Sequence, residues 1–182
     1  MPTIKNSEPI FQGLEVIEHE CAIDVDRDLS VEALLRAGQY HSVDRKKVNN
    51  RHFPILKGGK LQENLVILEF RNAIHPNLYG LFNREGAIAE TIKRNLRSAD
   101  IACLLSLGAS NHNLELYKGP IIALGSQCTL DPQDDPLGLD PDFHDRKTVA
   151  PMLMTGKGFT RNVDAIDINK IFLGGTRILA VK

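Results

Sequence analysis

From Leu14 the chain alternates. Ile17, His19, Cys21, Ile23 and Val25 fall on one side, and Glu18, Glu20, Asp24 and Asp26 on the other. A period of two predicts a half-buried strand with a solvated acidic face. SVEALLRAG follows: Ser30 is placed to cap, Glu32 to favour the first turn, Val31, Leu34 and Leu35 to share a stripe, and Gly38 to close the helix in a left-handed conformation. Residues 39–62 are polar and poorly periodic and read as a long excursion with one short strand near Phe53–Leu56. NLVILEF, from Asn64 to Phe70, is a continuous apolar run, the pattern of a strand buried on both faces.

A helix is predicted from Glu85 to Leu96, with Ile88, Ile92 and Leu96 as its apolar stripe and Asn95 as its left-handed stop. Ser98 is positioned to cap a second helix, with Asp100 in its first turn, Ile101, Leu104 and Leu105 as its stripe and Gly108 at its end. These side chains are expected to anchor both helices to a sheet, each buried one contributing about 1.5–3 kcal/mol. SVEALLRAG and DIACLLSLG share a Leu-Leu pair and a closing glycine, which any two short amphipathic helices with glycine stops would share. Further strands are expected at Ile121–Leu130 (kinked at Gly125), Val149–Met154, Ala165–Phe172 and Arg177–Val181.

The elements together predict an α+β fold: a mixed or antiparallel sheet with about three helices and a β-rich C-terminal half. A chain of 182 residues is long enough for one domain with its own core. If it subdivides, the place is near 45–62, between an N-terminal strand–helix unit and a main unit over 63–182.

Composition narrows function mainly by exclusion. With 42% hydrophobic and 25% charged residues and a net charge of -1, the chain has no global attraction to nucleic acid or anionic membrane. Aromatic residues are 5% and tryptophan is absent, which argues against an aromatic binding platform. Cys21, Cys103 and Cys128 are widely spaced, with no C-x-x-C; they read as small buried hydrophobes in a reducing compartment. The polar N-terminus MPTIKNSEP and the lack of a bilayer-length apolar run make a cytoplasmic location, without membrane contact, the expectation.

Two concentrations of polar residues and two isolated side chains carry candidate chemistry. Arg45, Lys46, Lys47, Arg51, His52, Lys57 and Lys60 form the one basic stretch, suited to phosphates or to an acidic protein surface such as the 131–145 loop of another copy. In the Pro- and Asp-rich loop that follows Leu130, Asp140, Asp142, His144 and Asp145 are the candidate ligands for a hard cation, although EF-hand spacing is not met and a solvated acidic loop has the same composition. His19 lies on an apolar strand face, and Cys128 is a lone thiol that a distant histidine could activate. LGSQC is not a G-x-S-x-G elbow, no H-E-x-x-H or phosphate loop occurs, and no cofactor is implied.

The run from Ala87 to Gly108 with its LRSAD break, then ALGS at 123–126, then RILAVK at the end, resembles uncharacterised bacterial proteins with an LRPAT, ELLALG, ALGS and RFLAVR pattern; EALLRAGQY is similar to their upstream helix. The same order resembles C-type-lectin-like and formylglycine-generating-enzyme-like domains. That resemblance implies a display scaffold. The lectin tryptophans, paired cysteines and calcium motifs E-P-N and W-N-D are missing, and the catalytic cysteine arrangement of the formylglycine enzymes does not map onto Cys21, Cys103 and Cys128. The expected function is a non-catalytic structural or binding module for a protein partner or for self-association. The alternatives are a nucleic-acid-associated protein using the 45–60 loop and an enzyme with an unrecognised Cys/His or metal site.

Overall fold

A computed structural model describes residues 14–75, 80–110, 114, 119–135, 141–156, 160–172 and 175–182. The alternating segment forms β1 (Leu14–Asp26), which pairs along its whole length, antiparallel, with β3 (Lys60–Asn72). Between them lie α1 (Val31–Ala37) and the two-residue β2 (Ser42–Val43). α2 (Arg84–Lys93), β4 (Arg97–Ser98) and α3 (Ile101–Ala109) follow. The chain then runs through β5 (Gly119–Ile122), β6 (Cys128–Leu130), β7 (Lys147–Thr155), β8 (Arg161–Asp167) and β9 (Arg177–Val181).

The described residues form one mixed sheet of nine strands in the order β1-β3-β9-β5-β7-β8-β2, with β4 added on β9 and β6 on β7. β5 runs parallel to β9 and β2 parallel to β8; the other pairs are antiparallel. The fold is α+β, as the hydrophobic pattern predicts. α1 and α3 pack on one face over Ile23, Val25, Leu65, Ile67, Leu153 and Leu179. α2 packs on the other with Val66, Leu68, Phe70, Ile122 and Ile178. β3 and β9 sit between the two layers, so their continuous apolar runs are buried on both sides.

Several local expectations are corrected. Gly38 is not left-handed (φ -76°); Gln39 takes that conformation at φ 49°, and Gly38 is needed because a Cβ there would run into the Tyr40 ring. No strand forms at 53–56: Phe53 is buried at the end of a series of turns. In α2 the predicted stripe holds in part: Ile88 and Leu96 pack against the core, Ile92 is 67% exposed, and Gly86, Ala87 and Thr91 are the buried residues of the helix. Asn95 does end the segment, at φ 56°.

The cap of α3 is Asp100, whose carboxylate accepts the Cys103 amide at 3.1 Å; Ser98 belongs to β4 instead. α3 is buried on all sides from Ile101 to Gly108, between α1 and the sheet, so its apolar residues are a full circumference and not a stripe. Gly108 lies inside the helix, under the Tyr40 hydroxyl, which donates to the Leu105 carbonyl. The 121–130 strand is two strands. Gly125 turns between them because a Cβ there would stand 2.6 Å from the carbonyl oxygens of Ser98 and Ala99. The strand expected at 165–172 is displaced, since β8 ends at Asp167 and Phe172 forms only an isolated bridge with Phe82.

Candidate functional site

The basic stretch is ordered by short-range bonds that its polar residues make with backbone. Asp44 accepts the amides of Lys46 and Lys47, and Asn49 accepts those of Arg51 and His52. Val48 and Phe53 are buried in the core and anchor the loop there. The facing acidic segment is a single 3-10 turn over Pro132–Asp134. Asp131 caps it, Asp134 bonds back to the Asp131 amide, and Pro132 sits at its first position.

The two loops close on each other within one chain. Arg51 meets Asp134 at 2.6 Å, His52 Nε2 lies 3.4 Å from Asp134 Oδ2, and Lys46 lies 3.7 Å from Asp135. Lys47, its side chain 8% exposed, is paired with Asp44 at 3.0 Å and Asp164 at 3.6 Å. Asn49 Nδ2 donates to the Arg45 and Lys46 carbonyls, so His52 Nδ1 is the donor to the Lys47 carbonyl at 2.9 Å. The acidic surface expected for the basic loop is therefore this chain's own.

The remaining predicted residues do not join this cluster. Arg45 is exposed, its carbonyl taken by Asn49. Lys57 donates to the Asp28 carbonyl at 2.8 Å, near the β1–β3 end. Asp140 lies outside the described residues, and so does the side chain of Asp142. His144 and Asp145 are exposed after the short 3-10 turn Pro141–Phe143. Among the described residues no three His, Cys, Asp or Glu side chains come together as a metal site.

The thiols are held protonated. Burial, aided by Asp134, pushes the Cys128 thiol up to about 11; burial and Asp100 push Cys103 up to about 12. Asp134 stands near Cys128 as a negative charge, the opposite of what a thiolate nucleophile needs. Ser126 has a structural bond, accepting the Ile101 amide at 2.9 Å at the start of α3.

Two charged clusters escape sequence reading. His19 Nε2 lies 3.6 Å from Glu69, which Arg71 (2.6 Å) and Arg177 (2.9 Å) also hold. Glu69 and Arg177 are both 2% exposed and directly opposite in the β3–β9 register. Their signal in the sequence is a single charge inside one apolar run, VILEF, and a single charge at the head of another, RILAV. The second cluster joins Arg27 to Asp100 and Glu63, with Arg97 also on Glu63 and the Cys103 sulfur 3.5 Å from Arg27.

The last feature lies at the opposite end of the sheet from the loops. β1 is an edge strand, and no described residue pairs with its outer side over thirteen positions. Beside it lies an open groove of about 550 Å3, with Ile23, Leu34 and Ala37 as apolar wall and Asp24, Asp26 and Lys60 as charged rim. Leu29, also in its lining, is 37% exposed.

No helix among the described residues is long and apolar enough to cross a membrane. No family model, curated protein or solved structure matches the chain.

Proposed function

We propose that this protein is a non-catalytic binding module that takes an extended, basic segment of a protein partner along the outer edge of β1. The observation that carries this reading is the long edge strand beside an open groove. A strand edge offers a row of backbone donors and acceptors, and adding a strand satisfies them. The apolar wall receives alternate side chains of the incoming segment.

Charge selects the partner. Glu18, Glu20 and Asp24 project from one side of β1, and their side chains are 38%, 57% and 64% exposed although Arg94, Lys182 and Lys60 approach them. In antiparallel pairing with a second copy, acids of this row would stand opposite acids, which is destabilising. A segment with lysine or arginine at alternate positions has the opposite effect. The nucleic-acid reading draws less support, because four of the cations it relies on face carboxylates of the same chain.

The test is fluorescence anisotropy with two labelled peptides, one alternating lysine and valine, the other glutamate and valine. The lysine peptide is expected to bind and to weaken as salt rises. The Glu20→Lys/Asp24→Lys variant is expected to lose at least about tenfold in affinity. Equal binding of both peptides, or a dimeric native mass abolished by the same variant, contradicts the proposed partner.

A further inference from the structure

The groove beside β1 has a polar patch that neither its apolar wall nor its charged rim accounts for. From Ile101 to Gly108 α3 is buried, and Ser106 is the one hydroxyl-bearing residue in that run. Ser106 lines the groove together with Ala109 and Ser110. These positions are i, i+3 and i+4 and share one helix face. Ser110 keeps helical backbone as the C-cap, its amide bonded to the Ser106 carbonyl at 3.0 Å.

Ser106 is 8% exposed, and its hydroxyl makes no hydrogen bond among the described residues. Nor does that oxygen belong to the partnerless atoms sealed from solvent, so it opens on the groove that the residue lines. A buried hydroxyl normally has a partner. In a helix the carbonyl one turn back can supply it, as Ala87 does for Thr91 at 2.8 Å, and Ser106 leaves that option unused. Ser110 is placed differently. Its hydroxyl donates to the Leu107 carbonyl at 2.8 Å, so its proton is committed and its lone pairs stay open. The face of α3 on the groove thus presents a free donor on Ser106 and a free acceptor on Ser110.

Few side chains satisfy both. An ammonium group only donates, and a carboxylate only accepts and would meet Asp24 and Asp26 in the same lining. A hydroxyl accepts from Ser106 and donates to Ser110. A strand added outside β1 sends alternate side chains toward the face of Ile23, where Leu34 and Ala37 admit an aliphatic group. Threonine carries a methyl and a hydroxyl on a β-branched frame that suits a strand. Valine has the same shape, but it would cover Ser106 and leave the hydroxyl unsatisfied, which is costly.

We infer that the β1 groove selects a threonine at one inward-facing position of the segment it takes, with the threonine hydroxyl between Ser106 and Ser110 and its methyl against Leu34 and Ala37. The inference rests on the β1-edge reading and adds to it the side chain that sets the register of the incoming strand.

Fluorescence anisotropy of the native protein with two labelled peptides tests it: the alternating lysine–valine peptide, and the same peptide with its central valine replaced by threonine. The threonine peptide is expected to bind about tenfold more tightly. Ser106→Ala replaces a hydroxyl that bonds nothing in the free protein by the best helix former, so the fold is kept. It is expected to erase the difference between the two peptides. Ser110→Ala, at an exposed position, is expected to reduce that difference. Equal binding of the two peptides, or a threonine preference retained in Ser106→Ala, overturns this inference and leaves the β1-edge reading standing. Binding by neither peptide overturns that reading and the inference with it.

Discussion

Glu69 shows how a single side chain ties sequence to stability here. Burial favours its neutral form, but Arg71 and Arg177 outweigh burial and hold the carboxyl below the usual carboxylate range. Asp100 behaves likewise, with burial opposed by Arg27 and the Cys103 amide. A carboxylate whose folded value is depressed adds stability above its unfolded value and loses that contribution as pH falls through the folded one. Urea unfolding is therefore expected to show stability falling steeply below the ordinary carboxylate range, and Glu69→Gln to flatten that slope. At neutral pH the same substitution removes the buried carboxylate charge opposite Arg177, which keeps the Gly175 carbonyl, and is expected to cost about 3–5 kcal/mol; a change near zero would show that the pair is not coupled to folding. The thiols give a second residue-scale prediction. Cys103 and Cys128, pushed up to about 12 and about 11, are expected to react with a disulfide reagent at pH 8 far more slowly in native than in unfolded protein. Rapid native labelling would restore the nucleophile reading of Cys128. Histidine and cysteine are visible in a sequence, but their partners are not: His19 meets Glu69 only because β1 and β3 pair in one register.

At the scale of elements, strand patterns were the most legible. β1, β3, β7 and β9 lie where alternation or a continuous apolar run predicts them, because side-chain period and burial on a sheet are directly linked. Helix faces were less so. The apolar residues of α2 predict a stripe through Ile92, yet that side chain is exposed, and Ala87 and Thr91 are buried beside the core-facing Ile88. The cap of α3 shifted from Ser98 to Asp100 because β9 claims Ser98 for β4, a long-range pairing that no local rule contains. Gly125→Ala tests the contact between this corner and the β5–β6 turn. Its Cβ meets two backbone carbonyls at 2.6 Å, and backbone cannot move aside as a flexible side chain can. A loss of about 1–3 kcal/mol is expected in urea unfolding, against less than about 0.5 kcal/mol for the exposed Ile92→Ala. Equal effects would place the buried face of α2 and the turn elsewhere.

On the scale of the whole molecule, the paired loops and the acidic β1 edge stand at opposite ends of one sheet. The basic and acidic loops could be recognised separately in the sequence. Their mutual neutralisation could not, since it depends on β2 joining β8 and on β6 joining β7. The protein is accordingly expected to pass a polynucleotide column unretained at about 0.1 M salt, where exposed charges are already screened over about 10 Å. Retention abolished by neutralising Lys46 and Arg51 would favour the nucleic-acid reading. The β1 edge was equally hidden, because alternation marks a strand but not its place in the sheet. Amide hydrogen exchange of the native protein, with and without the alternating lysine–valine peptide, tests the central claim most directly. In an antiparallel pair the amides of β1 point alternately toward β3 and away from it. The account predicts that the outward amides between Glu18 and Asp26 exchange at least about tenfold more slowly with peptide bound, while β3 and β9, paired on both sides, are unchanged. Unaltered exchange along β1 at saturating peptide would contradict it.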